Sequence, residues 1–463
     1  MSEPNEKLDR LVKWLESRGV IISNAITARA IPGRGIGVVA VSKVASQEPI
    51  IQFPVDALLN PRTVRQKLTE LIKSDISVAL KLFQPHLPIT TVKKTLAKNL
   101  TKRVKTDKTE LRISSVHRNA LNSLSSHQLL AYYLYQEAKL HDQGEQAEWA
   151  LFIDVLPRLQ DFKSVPLVWH VLQEENSKNL LPLLPNTTLQ HAQRMIKQFN
   201  NDFQTVRSIF ANVDDLNQFL WAWMCVNSRC LYFHMEEAPS SDDCMTLAPL
   251  VDFLNHTDIN HCTIDVIDTS PVKKFSKAQK FILETGRSYE PGEEIFLSYG
   301  PHTNSFLLCE YGFILDQNQN TQLDITNEII NLVCQGNENH PKAKYLAKYG
   351  YWGDYTVQHD SISYRTEVAL AVAQVSDAMV QDEPAKTMRQ LEAAQLKAYM
   401  IGVTDGYQYK ARSNELLAPI LHAIIKNGQD AINQLSRLDL DFNVENIINL
   451  YKELIWIAES QLV

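Results

Sequence analysis

The chain has 463 residues, with 46 Lys and Arg against 53 Asp and Glu, so its formal net charge at pH 7 is −7. This length exceeds the roughly 100–200 residues of one typical domain and predicts two or three packed units. Hydrophobic residues make up 44% and charged residues 21%, which excludes a disordered or a fibrous chain. The acidic balance argues against non-specific binding to nucleic acid or membranes and favours basic partners such as lysine-rich proteins.

The cysteines and the N-terminal segment bear on the compartment. None of the six cysteines forms a Cys-x-x-Cys pair, and the charged start MSEPNEKLDR lacks the apolar run of a signal peptide. These features predict reduced thiols and a cytoplasmic or nuclear protein. The longest apolar runs, such as LWAWMCV at 220–226, are shorter than the roughly 20 residues that cross a bilayer, so we expect no membrane span.

Glycine spacing and hydrophobic periodicity predict the order of the elements. Short β-branched or aromatic runs at 36–44, 49–53, 273–286 and 293–300 predict strands. Between Gly37 and Gly286 the only glycine is Gly144, and apolar spacing of three and four predicts helices at 125–140 and 214–226. Helical spacing returns from about residue 324 to the C-terminus. A basic run at 93–108 lacks interleaved aromatic residues, which favours a solvated surface over a nucleic-acid site.

The first polar cluster is PGRGIGVVA at 32–40, in which Gly33, Gly35 and Gly37 mimic a nucleotide-binding loop. A dinucleotide-binding fold requires a helix after these glycines, whereas VVAV is typical of a strand. The segment is therefore interpreted as a β-turn, with a backbone approach to a ligand as the alternative.

The second cluster, TLAPLVDFLNHTDINHC at 246–262, places Asp252, Asn255 and His256 among apolar residues. Buried Asn and His side chains require hydrogen-bond partners, so they either join two chain segments or face a ligand. The His, Cys and Asp residues that follow match no structural zinc spacing, so we predict no metal site.

The third cluster, YEPGEEIFLSYGPHTNSFLLCEYGF at 289–313, predicts a turn, a strand that ends at Tyr299, and a short helix or coil. A tyrosine that closes a strand is often a core residue with one satisfied hydroxyl, and this alternative stays open for the segment taken alone.

Taken in order, these motifs resemble the SET-domain protein methyltransferases of the Rubisco large-subunit methyltransferase type. The resemblance spans about residues 25 to 315 and includes GRGIGVVA, EPIIQFP, WALFIDVLP, VNSRCLYF, PLVDFLNH and GEEIFLSYG. It implies an α+β fold: a β-rich SET core with a pseudoknot, interrupted by a helical insertion and followed by an all-α C-terminal domain. The expected divisions are 1–60 and 226–315 for the two parts of the SET domain, 61–225 for the insertion, and 316–463 for a helical substrate-binding domain.

The resemblance also implies roles for individual residues. Tyr299 would be the catalytic tyrosine. The residues implied to bind S-adenosylmethionine are Arg34, Gly35, Arg229, Asn255 through its side-chain amide and His256 through its backbone. The residues implied to lie near the target amine are Ser228 and Asp252, through backbone carbonyls, with Tyr311 and Phe313 lining the side-chain channel.

This resemblance predicts an S-adenosylmethionine-dependent protein-lysine N-methyltransferase that acts on a non-histone protein, such as a basic ribosomal or translation-related one. A lysine with a pKa near ~10.4 must lose its proton before it can attack, and an apolar channel near a cation lowers that pKa. The expected partner is therefore a protein substrate, without direct nucleic-acid or membrane contact, and the chain is expected to be a monomer. The alternatives are a protein-histidine N-methyltransferase and a SET scaffold that binds partners without catalysis.

Overall fold

The computed structural model describes residues 4–74, 82–83, 119–234, 244–268, 279–381, 388–439 and 441–462. The basic run at 93–108 lies outside these residues. The chain divides into two compact units, one formed by Met1–Lys163 with Arg194–Pro301 and the other by Ser164–Gln193 with His302–Val463. The four-part division expected from the sequence stays a prediction.

The described residues form short strands between residues 21 and 357 and helices along the whole chain. The strands are β1 (Ile21–Ile22), β2 (Ile26–Ile31), β3 (Gly35–Ala40), β4 (Pro49–Pro54), β5 (Leu231–Tyr232), β6 (Met245–Thr246), β7 (Asn255–His256), β8 (Thr263–Asp268), β9 (Gln279–Glu284), β10 (Glu294–Leu297), β11 (Leu323–Asp324) and β12 (Thr356–Val357). The helices are α1 (Pro4–Ser17), α2 (Pro61–Ser74), α3 (Ser126–Asp142), α4 (Ala150–Ile153), α5 (Pro166–Leu172), α6 (Asn186–Ile209), α7 (Leu216–Arg229), α8 (Asn304–Tyr311), α9 (Thr326–Cys334), α10 (Pro341–Lys348), α11 (Tyr364–Gln374), α12 (Asp377–Val380), α13 (Met388–Met400), α14 (Tyr407–Leu435) and α15 (Phe442–Ser460).

Two four-stranded sheets organise the first unit, with strand orders β1-β4-β9-β8 and β2-β3-β10-β7. The predicted glycine turn is the hairpin between β2 and β3. Arg34 N–H donates to Ile31 O at 3.0 Å, and Gly33 and Gly35 both adopt positive φ, of 75° and 76°. Glycine adopts this conformation without the strain that a side chain would add, which is why the turn needs glycine on both sides of Arg34.

Strand β10 contacts one chain segment on both of its edges. Thr257 N–H donates to Leu297 O at 3.0 Å, and Cys262 N–H donates to Phe296 O at 2.8 Å. Carbonyls of successive strand residues point to opposite edges, so the segment from 257 to 262 crosses from one edge of β10 to the other. This crossing agrees with the threading that the sequence resemblance implied.

The helical insertion packs through aromatic side chains. Ser125 caps α3, because its hydroxyl accepts from the Gln128 N–H while the Gln128 side chain accepts from the Ser125 N–H. Tyr132 of α3 and Trp223 of α7 have no exposed surface. Helix α7 runs three residues past its predicted end and finishes at Arg229.

The second unit buries an apolar core formed by its helices, including Ile329, Leu370, Leu396 and Leu421. The helical spacing predicted from about residue 324 onward is interrupted within 364–380, since Val375 and Ser376 are extended and separate α11 from α12. Apolar spacing continues across this break, so periodicity alone could not locate it. No helix among the described residues is long and apolar enough to span a membrane. The predicted α+β fold is confirmed, with sheets in the first unit and a helical C-terminal region.

Candidate functional site

Tyr299 lies just beyond β10, which ends two residues before it. The predicted strand therefore stops early. The physical reason is a side-chain partner, because the Tyr299 N–H donates to His256 Nδ1 at 3.1 Å rather than to a neighbouring strand. The Tyr299 hydroxyl donates to Leu254 O at 2.9 Å, so both polar ends of this residue are held by the 254–256 segment.

The Tyr299 hydroxyl is kept in its neutral form by its surroundings. Burial raises the pKa of Tyr299 to about 12, although the nearby Arg229 guanidinium favours the phenolate. At neutral pH this hydroxyl can donate and accept hydrogen bonds but cannot serve as a base. Tyr299 therefore offers a neutral hydroxyl, already oriented by its hydrogen bond to Leu254 O.

His256 uses its ring to support Tyr299. The two rings stack with centroids 5.1 Å apart, and the His256 side chain is only 2% exposed. Because Nδ1 accepts from Tyr299, the proton of the neutral ring belongs on Nε2, which lies 3.1 Å from Asp258 Oδ1. In the parallel pairing with β10, His256 is aligned with Leu297, and the backbone N–H and C=O of His256 thus face away from β10.

Arg229 and Asp252 form a buried ion pair. Arg229 Nη1 donates to Asp252 Oδ2 at 2.9 Å and to Asp252 O at 3.1 Å. The Asp252 carboxylate has no exposed surface, and burial raises its pKa to about 6 although Arg229 favours the charged form. Burial disfavours the Arg229 charge, but Asp252 outweighs this effect and raises the pKa of Arg229. Each partner therefore favours the charged form of the other.

The ion pair leaves polar atoms available to a ligand. Among the described residues, Arg229 Nε and Asp252 Oδ1 are buried without a hydrogen-bond partner. Ser228 precedes Arg229 in the last turn of α7, where carbonyls have no N–H four residues ahead within the helix. The Ser228 hydroxyl donates back to Met224 O at 2.8 Å, so the side chain is engaged while the carbonyl lies at the helix end.

Arg34 and Asn255 converge on one carboxylate that sequence reasoning missed. Asn255 Nδ2 donates to Glu294 Oε1 at 2.6 Å, and Arg34 Nη1 lies 3.3 Å from Glu294 Oε2. Gly35 lies at the start of β3, and a Cβ there would meet nothing within 4 Å. The alternation of EEIFLSY in β10 was the only signal that could have placed Glu294 on the same face as Phe296.

These residues fit the groups that S-adenosylmethionine presents. S-adenosylmethionine combines a zwitterionic amino acid with a nucleoside, so its binding site requires hydrogen-bond donors, hydrogen-bond acceptors and accessible backbone. The glycine turn supplies accessible backbone, the Asn255 amide supplies a donor and an acceptor, and the unpartnered Arg229 Nε supplies a donor. No group of His, Cys, Asp and Glu among the described residues could hold a metal ion.

Tyr311 and Phe313 belong to the second unit and lie in a row of aromatic rings. Their centroids are 6.1 Å apart, and Tyr311 lies 6.3 Å from Phe306, which stacks on His302 at 3.9 Å. The first unit holds the other eight predicted residues. Sequence reasoning also missed Leu254 and Asp258, because a backbone acceptor and an exposed acid carry no distinguishing pattern.

Comparison with known proteins identifies both halves of the chain. The SET domain family matches residues 35–300, and the ribosomal lysine N-methyltransferase 2 C-terminal domain family matches residues 321–463. Ribosomal lysine N-methyltransferase 2 of Saccharomyces cerevisiae is 28% identical over 75% of this chain and 76% of its own length. Ribosomal lysine N-methyltransferase set11 of Schizosaccharomyces pombe is 23% identical over 92% of this chain and 89% of its own.

Solved structures show the same fold. The SET domain of LSMT bound to lysine and AdoHcy aligns with a TM-score of 0.61 at 14% identity, covering 100% of this chain and 91% of that one. Because the SET domain match covers more than half of the sequence and includes the Tyr299, Asn255 and Arg229 motifs, the chain belongs to the SET domain family.

Proposed function

We propose that this protein transfers a methyl group from S-adenosylmethionine to a lysine side chain of a ribosomal protein. The observation that carries the proposal is the Tyr299 hydroxyl, held by Leu254 O at 2.9 Å beside the buried Arg229–Asp252 pair. This arrangement holds a neutral hydroxyl beside a backbone carbonyl, which suits an amine acceptor.

The residues assigned to the methyl donor are Arg34, Gly35, Arg229, Asn255 and the backbone of His256. When bound, S-adenosylmethionine supplies a methyl group already activated on a sulfonium. The protein must bind, orient and exclude water. The open backbone at Gly35 admits a ligand without a steric clash, and Asn255 offers both a donor and an acceptor.

The residues assigned to the acceptor amine are Tyr299, Ser228 and Asp252, with Tyr311 and Phe313 proposed to line its channel. A lysine that enters an apolar channel beside a cation is shifted toward its neutral form. Tyr299 and the carbonyls then orient its lone pair, and alignment of this kind contributes up to about 7–11 kcal/mol in favourable cases.

The charge distribution supports a basic substrate protein. Residues 302–463 contain 12 Lys and Arg against 20 Asp and Glu, a net charge of −8 that exceeds the −7 of the whole chain. An acidic C-terminal region favours association with basic partners, as ribosomal proteins commonly are. A ribosomal substrate is consistent with a cytoplasmic or nuclear location, and we propose that the protein acts as a monomer without direct nucleic-acid contact.

The test is methyl transfer to ribosomes from cells that lack this protein. Purified wild-type protein and radiolabelled S-adenosylmethionine should label one ribosomal protein, and acid hydrolysis should release methyl-lysine. The Tyr299→Phe variant should leave that protein unlabelled, whereas Tyr232→Phe, at a tyrosine that is 61% exposed, should label it as the wild type does.

Other outcomes would contradict specific parts of the proposal. Methyl-histidine in the hydrolysate would replace lysine as the target. Tight donor binding without transfer to any ribosomal protein would favour a scaffold that has lost catalysis. Labelling that survives Tyr299→Phe would remove Tyr299 from the reaction.

A further inference from the structure

Glu294 occupies a position in the sheet that brings two predicted donor-binding residues together. In β10 it is aligned with Val39 of β3, while Phe296, two residues later, is aligned with Asn255 of β7. Side chains two residues apart share a sheet face, so Glu294 lies diagonal to Asn255. Its two carboxylate oxygens are divided between Asn255 Nδ2 at 2.6 Å and Arg34 Nη1 at 3.3 Å.

A carboxylate determines the orientation of an amide beside it. The ionised Glu294 side chain can only accept hydrogen bonds, so the NH₂ end of Asn255 must face it. The amide oxygen of Asn255 then points the opposite way. Without such a partner the two amide orientations compete, and only one of them presents an acceptor to a ligand.

Gly37 provides the room for this contact. A Cβ atom at Gly37 would lie 2.8 Å from Glu294 Oε1 and 3.2 Å from Asn255 Nδ2. Gly37 is buried, and the Glu294 side chain is 13% exposed while Arg34 is 58% exposed. The carboxylate is therefore enclosed on the sheet side and open toward the glycine turn.

We propose that Glu294 is a positioning residue for the methyl donor, which fixes the Asn255 amide with its oxygen toward the donor and holds Arg34 at the same site. This inference rests on the proposed function, because it assigns Asn255 to donor binding. It adds a residue that does not itself need to touch the donor.

The experiment measures binding of S-adenosylhomocysteine by titration calorimetry, with thermal unfolding of the ligand-free protein in parallel. The variants are Glu294→Leu, Glu294→Gln, Asn255→Asp, the double variant Glu294→Gln with Asn255→Asp, and the surface control Glu290→Gln. Glu290 lies four residues earlier with its side chain 64% exposed.

Glu294→Leu should weaken binding at least tenfold, because the amide loses its fixed orientation. Asn255→Asp should do the same, because it places two carboxylates against each other. The double variant should bind within threefold of the wild type, since the new amide at 294 donates to the new carboxylate at 255, whose second oxygen faces the donor. Glu294→Gln alone should fall between the wild type and Glu294→Leu, because an amide can accept as well as donate.

Two results would overturn the inference. One is a Glu294→Leu variant that binds within twofold of the wild type. The other is a double variant that recovers the unfolding temperature of the wild type but not its affinity, which would make the pair purely structural. If neither the wild type nor the Glu290→Gln control bound S-adenosylhomocysteine, the proposed function would fail instead.

Discussion

The hydroxyl of Tyr299 donates to the backbone carbonyl of Leu254 at 2.9 Å, across 45 positions of the chain. This contact fixes the direction of the hydroxyl before any substrate arrives. A hydroxyl with a pKa of about 12 stays protonated at neutral pH, so we propose that Tyr299 contributes to catalysis as an oriented dipole.

Removing this hydroxyl should slow methyl transfer without abolishing donor binding. Tyr299→Phe should lower kcat by about 100- to 1000-fold, the range seen when one oriented donor is removed from an active site. The dissociation constant for S-adenosylhomocysteine should change less than threefold, as measured by calorimetry. If kcat and the affinity for S-adenosylhomocysteine fell by the same factor, the substitution would have disrupted the structure of the site. Tyr232→Phe serves as the matched control.

Breaking the buried ion pair should destabilise the fold. Arg229→Met leaves the Asp252 carboxylate buried without a counter-charge and should reduce the free energy of unfolding by about 3–5 kcal/mol in urea titrations. The double variant Arg229→Met with Asp252→Leu should recover at least half of that loss. Lys43→Met, which breaks an ion pair whose side chains are 71% and 64% exposed, should cost less than about 1 kcal/mol. A loss for Arg229→Met as small as that would show that Asp252 does not need the pair.

Glu453 should make the stability of the protein fall with rising pH. Burial raises its pKa to about 7, although Asn304 donates to it at 2.9 Å. A raised pKa in the folded state gives stability that is complete below pH ~4.5 and lost as the pH rises through about 7. The loss should reach up to about 3 kcal/mol relative to Glu453→Gln, which cannot ionise.

The measurement for Glu453 is the free energy of unfolding at pH values from 4.5 to 8, for the wild type and for Glu453→Gln. The difference between the two should grow in favour of the variant across this interval. Glu459→Gln, at an exposed position of the same helix, is the control and should follow the wild type. A constant difference between wild type and Glu453→Gln would contradict the prediction.

Gly37 should be less tolerant of a side chain than Gly35, although Gly35 has the positive φ. Gly37→Ala places a methyl group 2.7 Å from Ile31 Cγ1 and 2.8 Å from Glu294 Oε1, and should cost about 1–3 kcal/mol of unfolding free energy. It should also weaken S-adenosylhomocysteine binding by displacing Glu294. Gly35→Ala meets open space, so its cost should be limited to backbone strain of about 1–2 kcal/mol. If Gly37→Ala bound S-adenosylhomocysteine as tightly as the wild type, Gly37 would not contribute to donor binding.

The elements of this protein follow from local sequence. The hairpin around Gly33 and Gly35, the capped helix at Ser125 and the strand at Glu294–Leu297 are specified by residues within a few positions of one another, because φ preferences and capping act over short range. The early end of that strand was not predictable, since it depends on a histidine ring 43 residues away from Tyr299.

The site depends on contacts between distant segments. The motifs by themselves predicted site residues, including Tyr299, Asn255 and Arg229, because their types and order resemble those of a known family. Only the tertiary structure shows that Glu294 contacts both Arg34, 260 positions earlier, and Asn255, 39 positions earlier, and that Asp252 is buried against Arg229. Hydrogen bonds and ion pairs act over a few ångströms, so their partners are chosen by how the strands pack, and no periodicity in the sequence records that choice.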